Sequence, residues 1–517
     1  MNQFRYGEDQ LTASIALGLA RKEIQGVLSP ATIQKVQQSA AAVAEIAAGE
    51  RIVYGINTGF GSLCDTAISH ADLEALQRNL VCSHACGMGD QVSKEMVRLM
   101  LVLKAKSLSY GHSGVQLQTV ELLLELYNRD ILPVVYEQGS LGASGDLSPL
   151  SHMCLPLIGE GEVQYKGKKC TAKEALKAEG LSAIELQSKE GLALINGTQF
   201  MLAHAVCALI KTDRLFGSAL AISALSIEAF DARPEPFLDL THQVRNQSGQ
   251  RVVAQALRKL LEGSEMQTQK KKHVQDPYSL RCIPQVHGAS RNAWLHLKQL
   301  TEIELNAVTD NPILIANKEA ISGGNFHGQP LALPLDYACF AAAELGNISD
   351  RRSYLLLEGK WGLPTLLMEK VGLNSGFMIP QYTTAALVTE NKTLCFPASV
   401  DSIPTSLGQE DHVSMGSISA RKFNTILDNL EYILSIELLL AAQAIEFRRP
   451  LKSSDLVELI YQEVRKSVSF AKEDRIFSLD IEKVVQVVRS SSLLEGIQKN
   501  AVQLGIQLNK NYSEFDC

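Results

Sequence analysis

The chain has 517 residues, of which 46% are hydrophobic, 6% aromatic and 20% charged, and its formal net charge is -7. That length predicts several structural units or one large helical assembly, and 2 Trp residues leave the core to Leu, Ile, Val and Ala. The mild negative charge excludes a nucleic-acid footprint, and Lys270-Lys271-Lys272 reads as a solvated loop.

In chain order, the first residues lack the apolar stretch of a signal peptide. Residues 32–49, 92–109 and 115–129 carry apolar side chains at helical spacing, with Ser113-Gly114 punctuating the last two. Residues 131–136 form a short extended run that leads into a loop of small residues, 139–151. Residues 159–169 read as a small hairpin. Long helices follow at 198–229, 250–261, 290–305, 333–357 and 423–447, with the broad apolar faces of central bundle members. Polar, Gly-rich or Pro-rich loops fall at 191–197, 276–288, 322–330 and 396–416, and chemistry is expected in such loops. The apolar stretch 201–230 is broken by Lys211, Asp213 and Arg214, and 433–447 carries Glu437 and Glu446, so neither reads as a membrane span. The expected division is an N-terminal part (1–197), a central long-helix bundle (198–452) and a helical tail (453–517).

The 10 Cys residues are scattered without a CxxC pair. Cys82 and Cys86, flanking His84, read as buried or inert thiols, and no metal site is expected. Free thiols without a disulfide framework predict a reducing, cytoplasmic setting.

The densest signal is Gly139-Ser-Leu-Gly-Ala-Ser-Gly-Asp-Leu-Ser-Pro-Leu-Ser151. A sharp bend there can set the Gly145 nitrogen against the Ala143 carbonyl carbon, since glycine accepts backbone angles that other residues refuse. Ring closure with loss of one water, then loss of a second from Ser144, gives an imidazolone with an exocyclic methylene. That is an electrophile no ordinary side chain supplies. A serine-hydrolase elbow does not fit, because G-x-S-x-G needs Gly where Asp146 stands.

This stretch resembles the methylidene-imidazolone signature of the aromatic amino-acid ammonia-lyases. The resemblance runs from Leu11 to about Phe447. It implies a mainly α-helical fold with a long central bundle of the fumarase/aspartase-like superfamily, and a smaller N-terminal part carrying the electrophile loop. It also implies a homotetramer with active sites shared between subunits, and no metal or diffusible cofactor beyond the 4-methylidene-imidazol-5-one made from Ala143, Ser144 and Gly145.

Further segments carry the same resemblance. Tyr54-Gly-Ile-Asn-Thr-Gly-Phe-Gly61 is similar to the family's mobile inner loop, which makes Tyr54 a catalytic acid/base. Gln275-Asp-Pro-Tyr278-Ser-Leu-Arg281 implies Gln275 as a pocket residue, Tyr278 as a rival base and Arg281 as the carboxylate clamp, through its planar fork of donors. Tyr278 and Arg281 lie three apart, so one helical turn would set them side by side. Asn196, in Leu194-Ile-Asn-Gly-Thr-Gln199, stands where the family stabilises charge near the electrophile. Phe326, in Gly323-Gly-Asn-Phe-His-Gly328, stands beside the ring.

Two segments bear on the substrate. Ser83-His84-Ala85 and Gln409-Glu-Asp-His-Val-Ser-Met415 resemble the histidine ammonia-lyases within the family. A Glu410 carboxylate accepts an imidazole N–H, whereas a phenyl ring would leave it buried and unpaired. The resemblance thus implies conversion of L-histidine to trans-urocanate and ammonia, the first step of histidine degradation. Tyrosine or phenylalanine ammonia-lyase and 2,3-aminomutase activity remain open on the same scaffold, as does a non-catalytic helical assembly. The choice between Tyr54 and Tyr278 as base, and between amine and ring attack on the electrophile, also stays open.

Overall fold

The central bundle is built from the helices Gln199–Phe230, Ile283–Glu304, Gln329–Leu357, Met378–Leu394 and Gly416–Ile445. The computed structural model describes residues 3–63, 66, 68–315 and 319–506. Gln199–Phe230 and Gly416–Ile445 are buried on nearly every face, as helices apolar all round must be. The other three pack around this pair, and one contiguous apolar core runs from Phe4 to Ala501.

Three of these helices begin earlier than apolar spacing indicates, at Ile283 rather than 290, Gln329 rather than 333 and Gly416 rather than 423. Pro284 and Pro330 stand in the first turns of two of them, where the missing N–H leaves no bond unmade. Two expected loops are therefore corrected. Residues 276–288 hold the turn Tyr278–Arg281 and the start of the next helix, and 191–197 are largely the buried helix Glu190–Ile195. Met378–Leu394 is a helix that the sequence pattern does not announce. Only Pro380, Thr384 and Asn391 of it are buried, so no apolar stripe marks it.

The N-terminal part packs the helices Pro30–Ala48, Leu73–His84, Lys94–Leu108 and Leu117–Asn128. Ser29 and Ser93 start two of them by accepting the N–H of Thr32 and Met96. The expected hairpin is Glu162–Tyr165 with Lys168–Thr171, joined by Leu132–Pro133. Met88–Gln91 pairs with Tyr136–Gln138 just ahead of the small-residue loop. Cys82 and Cys86 are exposed rather than buried. No helix among the described residues is long and apolar enough to cross a membrane.

The N-termini of Gln199–Phe230, Gln329–Leu357 and Gly416–Ile445 converge. A Cβ on Gly328 or Gly416 would fall 2.6 or 2.7 Å from the Met201 side chain. The positive ends of three helix dipoles are thereby aimed at one place.

Candidate active site

The loop holding Ala143-Ser144-Gly145 is pinned from both sides at that convergence. On one side Gly142 O accepts from Ser414 N at 3.2 Å and Leu141 O from Met415 N at 2.9 Å. On the other, Gly145 bridges Gly197. The Asp146 N–H donates to Gly197 O at 2.8 Å, and the Gly197 N–H donates to Ser144 O at 3.4 Å. Gly145 has a φ of 76°, and a Cβ on it would lie 2.1 Å from Gly197 O, so only glycine fits. Asp146 is fully buried and its carboxylate accepts from Met201 N at 2.9 Å and from Ser140 Oγ at 3.1 Å. Burial pushes its pKa up to about 7.

Ser144 faces two adjoining cavities of about 550 and 580 Å³. Tyr54, Gly61, Asn196 and Glu410 line both with it. The first cavity continues past His84, Leu80 and Leu192. The second continues past Phe326, His327, Asn311 and His412. Six residues singled out in the sequence, from six distant segments, thus line this pair of cavities: Tyr54, His84, Ser144, Asn196, Phe326 and Glu410.

Within it, Glu410 Oε1 accepts from Ser144 Oγ at 3.2 Å and Oε2 from Thr405 Oγ1 at 3.1 Å. His84 closes the helix Leu73–His84, with Nδ1 3.1 Å from Ser83 Oγ. Burial holds its imidazole below the usual value, partly offset by the Leu80 backbone carbonyl and by Glu410. Asn196 donates to Asn311 O at 2.9 Å, while its Oδ1 is buried without a hydrogen-bond partner. The Tyr54 hydroxyl accepts from Gly61 N at 3.4 Å, which ties the tyrosine to its own glycine-rich loop. Among the described residues, no group of three or more His, Cys, Asp or Glu could hold a metal ion.

Gln275, Tyr278 and Arg281 lie elsewhere. The turn does set the last two side by side, with the Arg281 guanidinium 4.4 Å above the Tyr278 ring. Tyr278 is 70% exposed and Gln275 is also exposed. Tyr278 borders a separate cavity with Glu344, Asn347, Ile348 and Arg351, in the second half of Gln329–Leu357. At 1.5 Å of rise per residue, Glu344 is about 22 Å along that helix from its Ser144 end.

Sequence reasoning missed several neighbours. Thr405 reaches Glu410 through a tight local pairing, Thr405 N to Glu410 O at 2.9 Å, which no periodicity reveals. His327 and His412 stack with centroids 5.2 Å apart and Nε2 3.1 Å from Nδ1, from segments 85 residues apart. Lys104 is fully buried behind Asn196. Its sequence signal is weak, because it is one of three cations, with Arg98 and Lys106, in the otherwise largely apolar run from Met96 to Leu108.

A family model described as aromatic amino acid lyase matches residues 11–466 of the chain. The histidine ammonia-lyase of Geobacillus sp. (strain WCH70) is 49% identical over 463 residues, which is 89% of this chain and 91% of that protein. The histidine ammonia-lyase crystal structure from Trypanosoma cruzi superposes with a TM-score of 0.89 at 39% identity, covering 98% of this chain and 97% of that one. The tyrosine aminomutase of Streptomyces globisporus superposes with a TM-score of 0.91 at 34% identity, covering 96% and 98%.

Proposed function

The chain belongs to the aromatic amino acid lyase family, and from that membership we propose that it is a histidine ammonia-lyase. It is a carbon–nitrogen lyase that takes L-histidine to trans-urocanate and ammonia. The observation that carries the choice of substrate is Glu410, which shares a cavity with His84 and lies 3.2 Å from Ser144 Oγ. A carboxylate there accepts an imidazole N–H. A phenyl ring would offer it no donor, leaving it only the Thr405 and Ser144 hydroxyls.

In this reading Ala143, Ser144 and Gly145 close into the 4-methylidene-imidazol-5-one. The residues fit such a ring. Gly145 is held at a φ of 76° with no space for a side chain, Ala143 is small and buried, and Ser144 faces the cavities. The ring supplies an electrophilic methylene, the electron sink that lets an amino group leave. His84 and Glu410 orient the substrate imidazole. Asn196, whose amide N–H goes to Asn311 O, offers its unpartnered Oδ1 as an acceptor for the substrate's amino group rather than a donor to developing negative charge, and Phe326 packs beside the ring. Tyr54 is the better-supported base because it lines both cavities with Ser144.

Arg281 grips the substrate carboxylate in this reading, and Tyr278 and Gln275 accompany it, all three from a second copy of the chain. Exposed apolar side chains along two bundle helices, Leu333, Tyr337, Ile379 and Tyr382, support burial against such copies in a homotetramer. The enzyme then works in the cytoplasm on a small molecule, without metal, diffusible cofactor, nucleic acid or membrane.

The test is a spectrophotometric assay of the purified protein with L-histidine, L-tyrosine and L-phenylalanine in parallel. Urocanate from histidine alone is the expected outcome. Cinnamate or coumarate would keep the electrophile and overturn the role of Glu410. A β-amino acid product would mark an aminomutase, an outcome worth examining because the tyrosine aminomutase shares the fold at a TM-score of 0.91.

A further inference from the structure

The electrophile loop leans on one peptide group, the one joining Asn196 to Gly197. Its N–H donates to the carbonyl oxygen of Ser144 at 3.4 Å. Its C=O accepts from the ammonium of Lys104 at 2.6 Å. A second N–H of that ammonium goes to Ala193 O at 3.0 Å. Lys104 is 2% exposed, within the helix Lys94–Leu108. The charged and titratable groups facing it are Asp310, Lys189, Asp146 and the Cys154 thiol. Lys189 and Asp310 are already paired with each other at 2.5 Å. Burial lowers the Lys104 amine to about 8, so it keeps its proton at neutral pH.

A cation on a carbonyl oxygen polarises the whole amide and makes its N–H a better donor, and the low dielectric of the interior strengthens the effect. We propose that Lys104 is a positioning residue for the reaction: its buried ammonium fixes and polarises the Asn196–Gly197 peptide, so that the Gly197 N–H stabilises negative charge on the Ser144 carbonyl oxygen. This rests on the ring reading above, because only in the ring is that carbonyl conjugated with the electrophilic methylene. The 3.4 Å contact is long for a neutral amide and shortens as charge gathers on the acceptor. A cation that merely capped the Glu190–Ile195 carbonyls would leave the electronic state of the ring untouched, and that difference can be measured.

The experiment compares wild type, Lys104→Met and Lys104→Arg by intact mass, by the near-ultraviolet band of the mature ring, and by kcat and KM for L-histidine. Wild type should lack two waters relative to the encoded mass. A wild-type chain of full mass overturns the ring reading and this inference with it. Lys104→Met should mature, show a band at shorter wavelength, and lose about 10- to 100-fold in kcat with KM nearly unchanged. That is less than the loss of roughly 10²–10³ from deleting an oxyanion donor outright. Lys104→Arg, which keeps the charge, should hold the wild-type band and most of kcat. A mature Lys104→Met with wild-type band and kcat overturns the proposal. Where Lys104→Met fails to mature, Lys104→Arg decides: maturation with the wild-type band upholds the proposal, and impairment equal to that of the Met variant overturns it.

Discussion

Glu410 meets the Ser144 hydroxyl on one oxygen and the Thr405 hydroxyl on the other, which sets its direction for the imidazole N–H that the proposed function brings to it. Glu410→Gln keeps the shape and removes the charge. A hydrogen bond to a charged group contributes about 1.5–3 kcal/mol, so kcat/KM for L-histidine should fall roughly 10- to 150-fold. Steady-state kinetics beside an unchanged melting curve checks this, and a loss under about threefold would remove Glu410 as the selectivity group. The residues legible from sequence were those whose chemistry stands out in a distinctive run: Ser144, Tyr54, His84, Asn196, Phe326 and Glu410. Their supports were not legible. Thr405 and Lys104 act through contacts that only the folded chain makes, at separations of 5 and 92 residues respectively.

At the scale of elements, the two central helices were legible because long apolar runs give them broad apolar faces, and the half-exposed Met378–Leu394 was not, because few of its positions are buried. One central helix also carries a titratable group that shapes stability. Glu228, in Gln199–Phe230, is 0% exposed, and burial pushes its carboxyl from 4.5 up to about 7. Between those values the folded chain holds a proton that the unfolded chain has released. Its stability contribution is therefore full on the acid side and is lost as pH rises from about 4.5 to about 7. Glu228→Gln should remove that loss. The Tm of the variant relative to wild type should climb by about 3 °C between roughly pH 5 and pH 8. Thermal melts across that range check it, and a constant difference would mean that Glu228 keeps an ordinary pKa.

At the scale of the whole molecule, the distance along Gln329–Leu357 separates Arg281 from the Ser144 cavities within one chain. The resemblance implied a site shared between subunits, but periodicity and spacing alone do not say which of the matched segments a second copy would supply. The length of the bundle is what sets Tyr278 and Arg281 apart from Ser144 within one chain and supports assigning them to a second copy. Ser144→Ala and Arg281→Ala chains should each be nearly inactive alone, and co-expression should restore up to about a quarter of the wild-type rate per chain. With random mixing, half of the electrophile loops remain intact and half of those face an intact Arg281. Activity no greater than that of the separate variants would show that the two residues do not work across an interface.

The bridge between Gly145 and Gly197 exists only when segments far apart in the chain are brought together by folding. Under the proposed cyclisation, the ring it shapes is covalent and outlasts the contact that made it. Urea dissolves the bridge and leaves the mass deficit of two waters. Each molecule therefore keeps a permanent record of having once reached its native state, and a mass spectrum of a fully denatured sample reads the folding history of the population.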